Sequence, residues 1–210
     1  LIDLHNHTSR YSEDSLLAPE ELIEEAKNAG LDGIAVTEHD FFWEPEDLIT
    51  LGKRMDFLVI PGVEINTDEG HLLVFGLDHY IFGMHKTGFL KNLVDKRGGA
   101  MLAAHPYRRR FRPEYENAED YERMLVKACS NSMFSVVEGA EVNNGRGSEQ
   151  ENAFAEEVCR RLNIKGVATS DSHRTRDVAK NATRFDRKIS GLDDLIGELK
   201  AGRFQPHPLR

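Results

Sequence analysis

Short apolar runs alternate with amphipathic stretches along nearly the whole chain, a pattern that predicts strand and helix in turn. Leu1, Ile2 and Leu4 open as a strand, and a polar loop covers residues 9–18. Pro19 stands at a first helical position, followed by Glu20 and Glu21 in the first turn. Leu22, Ile23 and Ala26 then form one apolar stripe, and Gly30 ends the helix. Gly33-Ile34-Ala35-Val36-Thr37 reads as a buried strand. A short helix over about residues 45–54 leads to apolar residues 57–60 and the segment 61–65. Strands follow at 71–76, 100–104, within 135–142 and at 166–169, with helices at 86–97, 119–130 and 149–162. Residues 184–189 and 192–200 predict a closing strand and helix. No repeat, low-complexity tract or linker interrupts this order, so residues 1–210 predict one domain.

Composition narrows the function classes. With 40% hydrophobic and 30% charged residues, the 210-residue chain has the balance of a soluble globular protein, large enough for an α/β barrel or a three-layer sandwich. No apolar run approaches membrane-spanning length, and residues 1–20 lack the basic-then-apolar order of a secretory signal. The chain begins at Leu1 rather than Met, so a preceding piece is compatible with the sequence. Cys129 and Cys159 fall in helical stretches without metal-ligand spacing, which predicts buried thiols and a cytoplasmic, reducing setting. A formal charge of −9 argues against a partner such as a long nucleic-acid duplex, which needs a broad basic face, but leaves a small phosphorylated substrate open.

The chemistry collects at the ends of the strands. His5 and His7 are two apart, so alternation puts both on one face with Cα atoms roughly 6–7 Å apart, close enough to share an ion. His39, Glu64, His105, Asp171 and His173 each stand where an apolar run gives way to a loop. In parallel barrels those C-terminal strand ends form the active face, which would gather groups scattered over the chain at one mouth. His71 instead begins its strand, which an antiparallel strand after a tight turn at Asp68-Glu69-Gly70 would explain. Imidazoles and carboxylates without thiolate suit Zn²⁺, Mn²⁺ or Fe²⁺.

Asp3-Leu4-His5-Asn6-His7-Thr8, Thr37-Glu38-His39-Asp40, Ala104-His105-Pro106 and Ser170-Asp171-Ser172-His173 resemble, in order, the four signature motifs of the PHP (polymerase and histidinol phosphatase) domain family. Gly62-Val63-Glu64 is similar to the family's Gly-x-Glu. The resemblance covers nearly the whole chain. It implies a distorted seven-stranded (β/α)7 TIM-like barrel holding two or three divalent metal ions and hydrolysing phosphoesters. It further implies that His5, His7, Glu64 and Asp171 hold one ion, and that Glu64 bridges to a second held with His71 and His105. A third would lie among Asp14, His39 and His173, with Glu13 the alternative carboxylate in the same loop. Glu38 stands where the family often has Asp, at a position not expected to be a ligand.

Tyr107-Arg108-Arg109-Arg110-Phe111-Arg112 directly follows His105 and is placed to clamp phosphate or stack on a base, though such runs are commonly just solvated. Asn143, Arg146, Arg174 and Arg176 are further substrate-side candidates, and Phe41, Phe42 and Trp43 would wall the pocket or pack its rim. His79, His85 and His207 fall outside the pattern and predict surface positions. The leading expectation is a metal-dependent phosphoesterase acting on a small phosphomonoester such as a nucleotide, with Glu64, Asp171 and His39 central to the chemistry. Alternatives are an exonuclease on short oligonucleotide ends, a PHP module that binds metal without turnover, and an amidohydrolase. The last is disfavoured by the lack of a strand carrying a carbamylated lysine.

Overall fold

The computed structural model describes residues 1–109 and 117–209. Its strands are β1 (Ile2–Asp3), β2 (Gly33–Val36), β3 (Leu58–Pro61), β4 (Val63–Asn66), β5 (His71–Phe75), β6 (Ala100–Ala103), β7 (Gly139–Asn144), β8 (Lys165–Thr169), β9 (Asn181–Phe185) and β10 (Phe204–Pro208). Between them run α1 (Pro19–Asn28), α2 (Pro45–Arg54), α3 (Thr87–Arg97), α4 (Ala118–Cys129), α5 (Glu149–Leu162) and α6 (Leu192–Lys200). Local chemistry fixes several boundaries. Pro19 opens α1 with Glu20 and Glu21 behind it, and Leu22, Ile23 and Ala26 are buried as expected. In α5, the Ser148 hydroxyl accepts from Glu151 N while Glu151 accepts from Ser148 N, a reciprocal capping box.

The strands divide into two five-stranded sheets, ordered β10-β9-β1-β2-β3 and β4-β5-β6-β7-β8. The fold is mixed α/β, and among the described residues the ladders do not close into the expected continuous ring. The sheets are instead joined at one end by two isolated parallel bridges, Asn6 to Ser172 and His39 to Glu64. The Thr183 hydroxyl, from β9, adds a side-chain link by donating to Ala168 O in β8 at 2.9 Å. The antiparallel strand predicted at His71 is present, since β5 runs against both β4 and β6.

Three apolar clusters follow from strand alternation. Leu73 and Phe75 point between the sheets with Ile2, Leu4, Ile60, Leu102 and Val167. Their neighbours Leu72 and Val74 point outward, under α3, α4 and α5. Ile34, Val36 and Val59 pack beneath α1 and α2. Glu64 pairs with Leu73 across the β4–β5 ladder, between the outward-facing Val63 and Ile65, so it caps the inner cluster with a carboxylate.

Two differences from the sequence pattern have clear causes. The apolar stretch around residue 60 is split at Gly62 into β3 and β4, which belong to different sheets. A Cβ at Gly62 would lie 2.8 Å from Phe75 Cε1 and 3.0 Å from Thr37 Cγ2, so only glycine lets the chain cross over there undisturbed. The closing strand falls at β9, earlier than expected, and is followed by the unanticipated β10. Pro206 and Pro208 disguise β10, yet proline is tolerated there because β10 is an edge strand.

Gly62→Ala is expected to destabilise the fold by about 1–3 kcal/mol through overpacking against Phe75 and Thr37. Urea unfolding monitored by circular dichroism checks this, and an unchanged midpoint would mean that the crossover has slack.

Candidate metal centre

Glu64 is 1% exposed, and five imidazoles surround its carboxylate. His71 Nδ1 lies 2.7 Å and His105 Nε2 2.9 Å from Oε1. His39 Nδ1 at 2.9 Å, His5 Nε2 at 3.2 Å and His7 Nε2 at 3.3 Å approach Oε2. These five rings come from four separate stretches: the segment after β1 gives two, and the others follow β2, begin β5 and follow β6. Asp171 enters opposite Glu64, with Oδ1 3.7 Å from His5 Nε2 and 3.6 Å from His7 Nε2. His173 Nε2 is 3.0 Å from Asp14 Oδ2, and Asp14 Oδ1 is 3.6 Å from His39 Nε2. Glu13 is exposed and has no part in these contacts. All nine residues singled out as metal ligands therefore fall in one cluster.

Backbone geometry helps to aim two of them. His105 (φ 25°) and Asp171 (φ 55°) adopt the left-handed region two residues after the ends of their strands. Such conformations cost of order 1 kcal/mol or more for residues other than glycine and persist where the surroundings enforce them. Each turns the chain sharply enough to send a side chain back over the strand end.

Three triads have mutually close donor atoms: His5, His7 and Asp171; His5, Glu64 and His105; and His7, His39 and His173. The fit to a cation is chemical as well as geometric. Asp171 Oδ1 is buried without a hydrogen bond, and His5 Nε2 faces His7 Nε2 at 2.9 Å. Buried polar atoms without partners are costly, and a divalent ion would satisfy several at once.

Electrostatics favours the neutral form of some imidazoles and the protonated form of others. Burial pushes the His7 imidazole down to about 3, so it is a neutral donor. Burial also lowers His173, against the pull of Asp171. Burial alone would raise Glu64 and Asp171, but the charge of His5, together with hydrogen bonds to Glu64 and the charge of Arg108 beside Asp171, holds both carboxyls well below their usual range. For His5, burial is outweighed by Asp171, Glu141 and Glu64, which raise it. Hydrogen bonding and charge from Glu64 likewise raise His39 despite burial.

The substrate-side candidates separate. Arg108 contacts Asp171 Oδ2, and its side chain is 14% exposed. Arg146 Nη1 lies 2.7 Å from His173 Nδ1 and 3.7 Å from Asp171 Oδ1, so both arginines reach the cluster. Arg109 is exposed and is anchored through its backbone N–H to Glu151 Oε1 at 2.6 Å. Arg174 and Arg176 are on the surface, while Arg110, Phe111 and Arg112 lie outside the described residues. Phe42 and Trp43 pack against the core, and Phe41 stacks on Tyr11 with centroids 3.9 Å apart. His79 is exposed, and His85 and His207 are half-buried. Asn144, rather than Asn143, meets the site, donating to Glu141 Oε2 at 2.8 Å and Asp171 Oδ2 at 3.3 Å. A register shift between Glu141 and Asn143 in β7 changes which residues face inward.

Glu141 is the residue that motif reading missed. Fully enclosed, it accepts from His5 Nδ1 at 2.7 Å, His105 N at 2.6 Å and the Thr169 hydroxyl at 2.6 Å. Holding Nδ1–H of His5 leaves Nε2 free to face the cluster, the usual task of a carboxylate behind a ligating histidine. One signal was readable: Glu141 lies between Ala140 and Val142 in an apolar strand, where an enclosed carboxylate needs partners. Two larger surface cavities, of about 640 and 870 Å³, lie at the opposite ends of the strands around Asp32, Leu58 and Ser190. Neither includes a residue of the cluster.

Comparison with known proteins adds family context. A family profile described as PHP-associated matches residues 149–204. An uncharacterized protein of Methanocaldococcus jannaschii is 29% identical over 116 residues, covering 50% of this chain and 67% of that protein. A PolC-type DNA polymerase III of Oceanobacillus iheyensis is 36% identical over 70 residues, which is 33% of this chain but only 5% of the polymerase. Among solved structures, a candidate metal-dependent phosphoesterase of Bifidobacterium adolescentis has a TM-score of 0.60, 16% identity and coverage of 82% of this chain and 87% of its own. An amidohydrolase of Chromobacterium violaceum with bound sulfate and no metal also gives 0.60 at 16% identity, covering 84% and 89%. PsfC of Pseudomonas syringae gives 0.64 at 16% identity, covering 98% and 89%. At that identity the three structures speak to the fold.

Glu141→Gln is expected to weaken divalent-ion affinity about 10–100-fold, because the amide holds His5 less firmly. Equilibrium dialysis with elemental analysis measures this, and unchanged affinity would remove Glu141 from the account. The ordinary imidazole value is exceeded at His5 and His39, so bound protons must leave before an ion enters. Ion affinity should therefore fall as pH drops, and uptake at neutral pH should release protons. Calorimetry in buffers of different ionisation enthalpy reads that release, and identical heats would contradict it.

Proposed function

The chain belongs to the PHP domain family, and on that premise we propose that it is a metal-dependent phosphoesterase acting on a small phosphomonoester such as a nucleotide. The carrying observation is the meeting of three metal-holding triads with Arg108 and Arg146 at one buried carboxylate pair, Glu64 and Asp171. The donor set supports two or three ions, with Zn²⁺, Mn²⁺ and Fe²⁺ as candidates. When bound, such ions supply Lewis acidity and lower the pKa of water. His5, His7, Glu64 and Asp171 would hold one, Glu64, His71 and His105 a second, and Asp14, His39 and His173 a third.

The chain's own residues supply the rest. Glu64 and Asp171, kept ionised, fix the spacing of the imidazoles around them. Arg108 and Arg146 are placed to take phosphate oxygens in the forked geometry that guanidinium favours. The enclosure of His5, His7 and Asp171 removes competing solvent from the reacting centre, which strengthens charge stabilisation. The same premise reads the two sheets as a distorted (β/α)7 barrel, with β3 and β4 sharing one of seven positions and the two isolated bridges closing the ring. The free Cys129 and Cys159 support a reducing, cytoplasmic setting.

A second reading, trimming of short oligonucleotide ends, draws on the segment shared with a PolC-type polymerase. The acidic net charge favours the smaller substrate.

A panel of phosphomonoesters, short oligonucleotides and amides, run with Mn²⁺, Zn²⁺, Fe²⁺ or Mg²⁺, tests the proposal. Phosphomonoester turnover is expected to dominate and to disappear in Asp171→Ala; full activity in that variant would refute the assignment. Arg108→Ser is expected to raise KM for phosphorylated substrates about tenfold or more, by loss of a charge-assisted contact. An unchanged KM and kcat would place Arg108 outside substrate binding.

A further inference from the structure

Glu38 is fully buried, and its carboxylate contacts none of the candidate ligands directly, yet it accepts four hydrogen bonds. Oε1 receives the Thr8 hydroxyl and Trp43 Nε1–H at 3.0 Å. Oε2 receives Thr8 N–H at 3.0 Å and the Ser12 hydroxyl at 2.5 Å. Two oxygens with two lone-pair directions each are thereby filled, which only an acceptor-only carboxylate can do.

The consequence passes through Ser12. Its single hydroxyl proton goes to Glu38, so every other contact of Ser12 Oγ must donate to it. His39 N–H does so at 3.4 Å, and His7 Nδ1 lies 3.3 Å away. His7 must then carry its proton on Nδ1, leaving the Nε2 lone pair facing His5, Glu64 and Asp171. The Thr8 and Ser12 contacts also pin the loop that presents Asp14.

We propose that Glu38 is a positioning residue that sets the tautomer of His7 through Ser12, and so decides whether His7 offers its lone pair to a cation. The proposal deepens the metal-centre reading and rests on it for its consequence, but the tautomer itself is a property of the metal-free protein. Glutamine at position 38 carries an NH₂ group that can donate to Ser12 Oγ. Ser12 is then free to turn its proton toward His7 Nδ1, which moves the imidazole proton to Nε2 and removes the donor. Glu141 plays the corresponding part for His5 from the other side of the cluster, without an intervening hydroxyl.

Long-range ¹H–¹⁵N NMR of the histidine rings in metal-free protein reads the tautomer, and dialysis against Mn²⁺ or Zn²⁺ with elemental analysis reads the ions. Wild type is expected to show His7 with Nδ1 protonated. Glu38→Gln should lose that state and bind the His7-held ions about 10–100-fold more weakly. Glu38→Asp, which keeps an acceptor-only carboxylate, should retain the state; if it behaved as the glutamine variant does, the carboxylate account would be overturned. Should Glu38→Gln fail to fold, Ser12→Ala removes one hydroxyl and should give the same loss. A folded Glu38→Gln or Ser12→Ala protein with His7 still protonated on Nδ1 and unchanged ion affinity would overturn the proposal. A wild-type protein that takes up no divalent ion would instead defeat the metal-centre reading, leaving the tautomer result to stand or fall by itself.

Discussion

Five imidazoles around one enclosed carboxylate are the constraint from which the rest of this structure follows. Glu64 cannot stay ionised at 1% exposure without cationic or donor neighbours, and the histidines around it cannot all be protonated without repelling one another. The strands must therefore deliver these groups to a single point. The split at Gly62 serves this end, because it puts Glu64 in β4, opposite Leu73, while β3 stays paired with β2. The apolar layer beneath, built from Leu73, Phe75, Leu102 and Val167, gives the cluster a floor without water.

Around that point the protein places two carboxylates that do not themselves join the triads. Glu141 reaches His5 directly, and Glu38 reaches His7 through a hydroxyl. Both are enclosed and saturated with donors, so each can be held in one orientation. Nδ1 of each of the two leading histidines is thereby engaged from opposite flanks, which turns Nε2 toward the cluster.

Much of this was legible in the sequence because the ligands stand where apolar runs stop. His5, His39, His105 and Asp171 are each preceded by buried strand residues, and alternation converts that fact into a common mouth. What stayed hidden depended on parity and on edges. The shift in β7 exchanges Asn143 for Asn144, and no composition rule announces a bulge. Glu141 resembles an outward charge until its strand is known to be covered on both faces. The prolines of β10 argue against a strand anywhere except at an edge, and edge position is a property of the assembled sheet. The two-sheet division, stitched by Asn6–Ser172 and His39–Glu64, likewise belongs to tertiary geometry rather than to local pattern.

The Asn6–Ser172 bridge has a temporal consequence. It joins positions separated by most of the chain, and the His5–His7 pair meets Asp171 only when that junction forms. During synthesis the first histidines emerge long before their acidic partner, so an ion caught early has an incomplete set of donors. Loop closure over such a span is slow relative to local helix formation. Cation capture should thus be a late event in the life of each new molecule, and one that locks its two halves together.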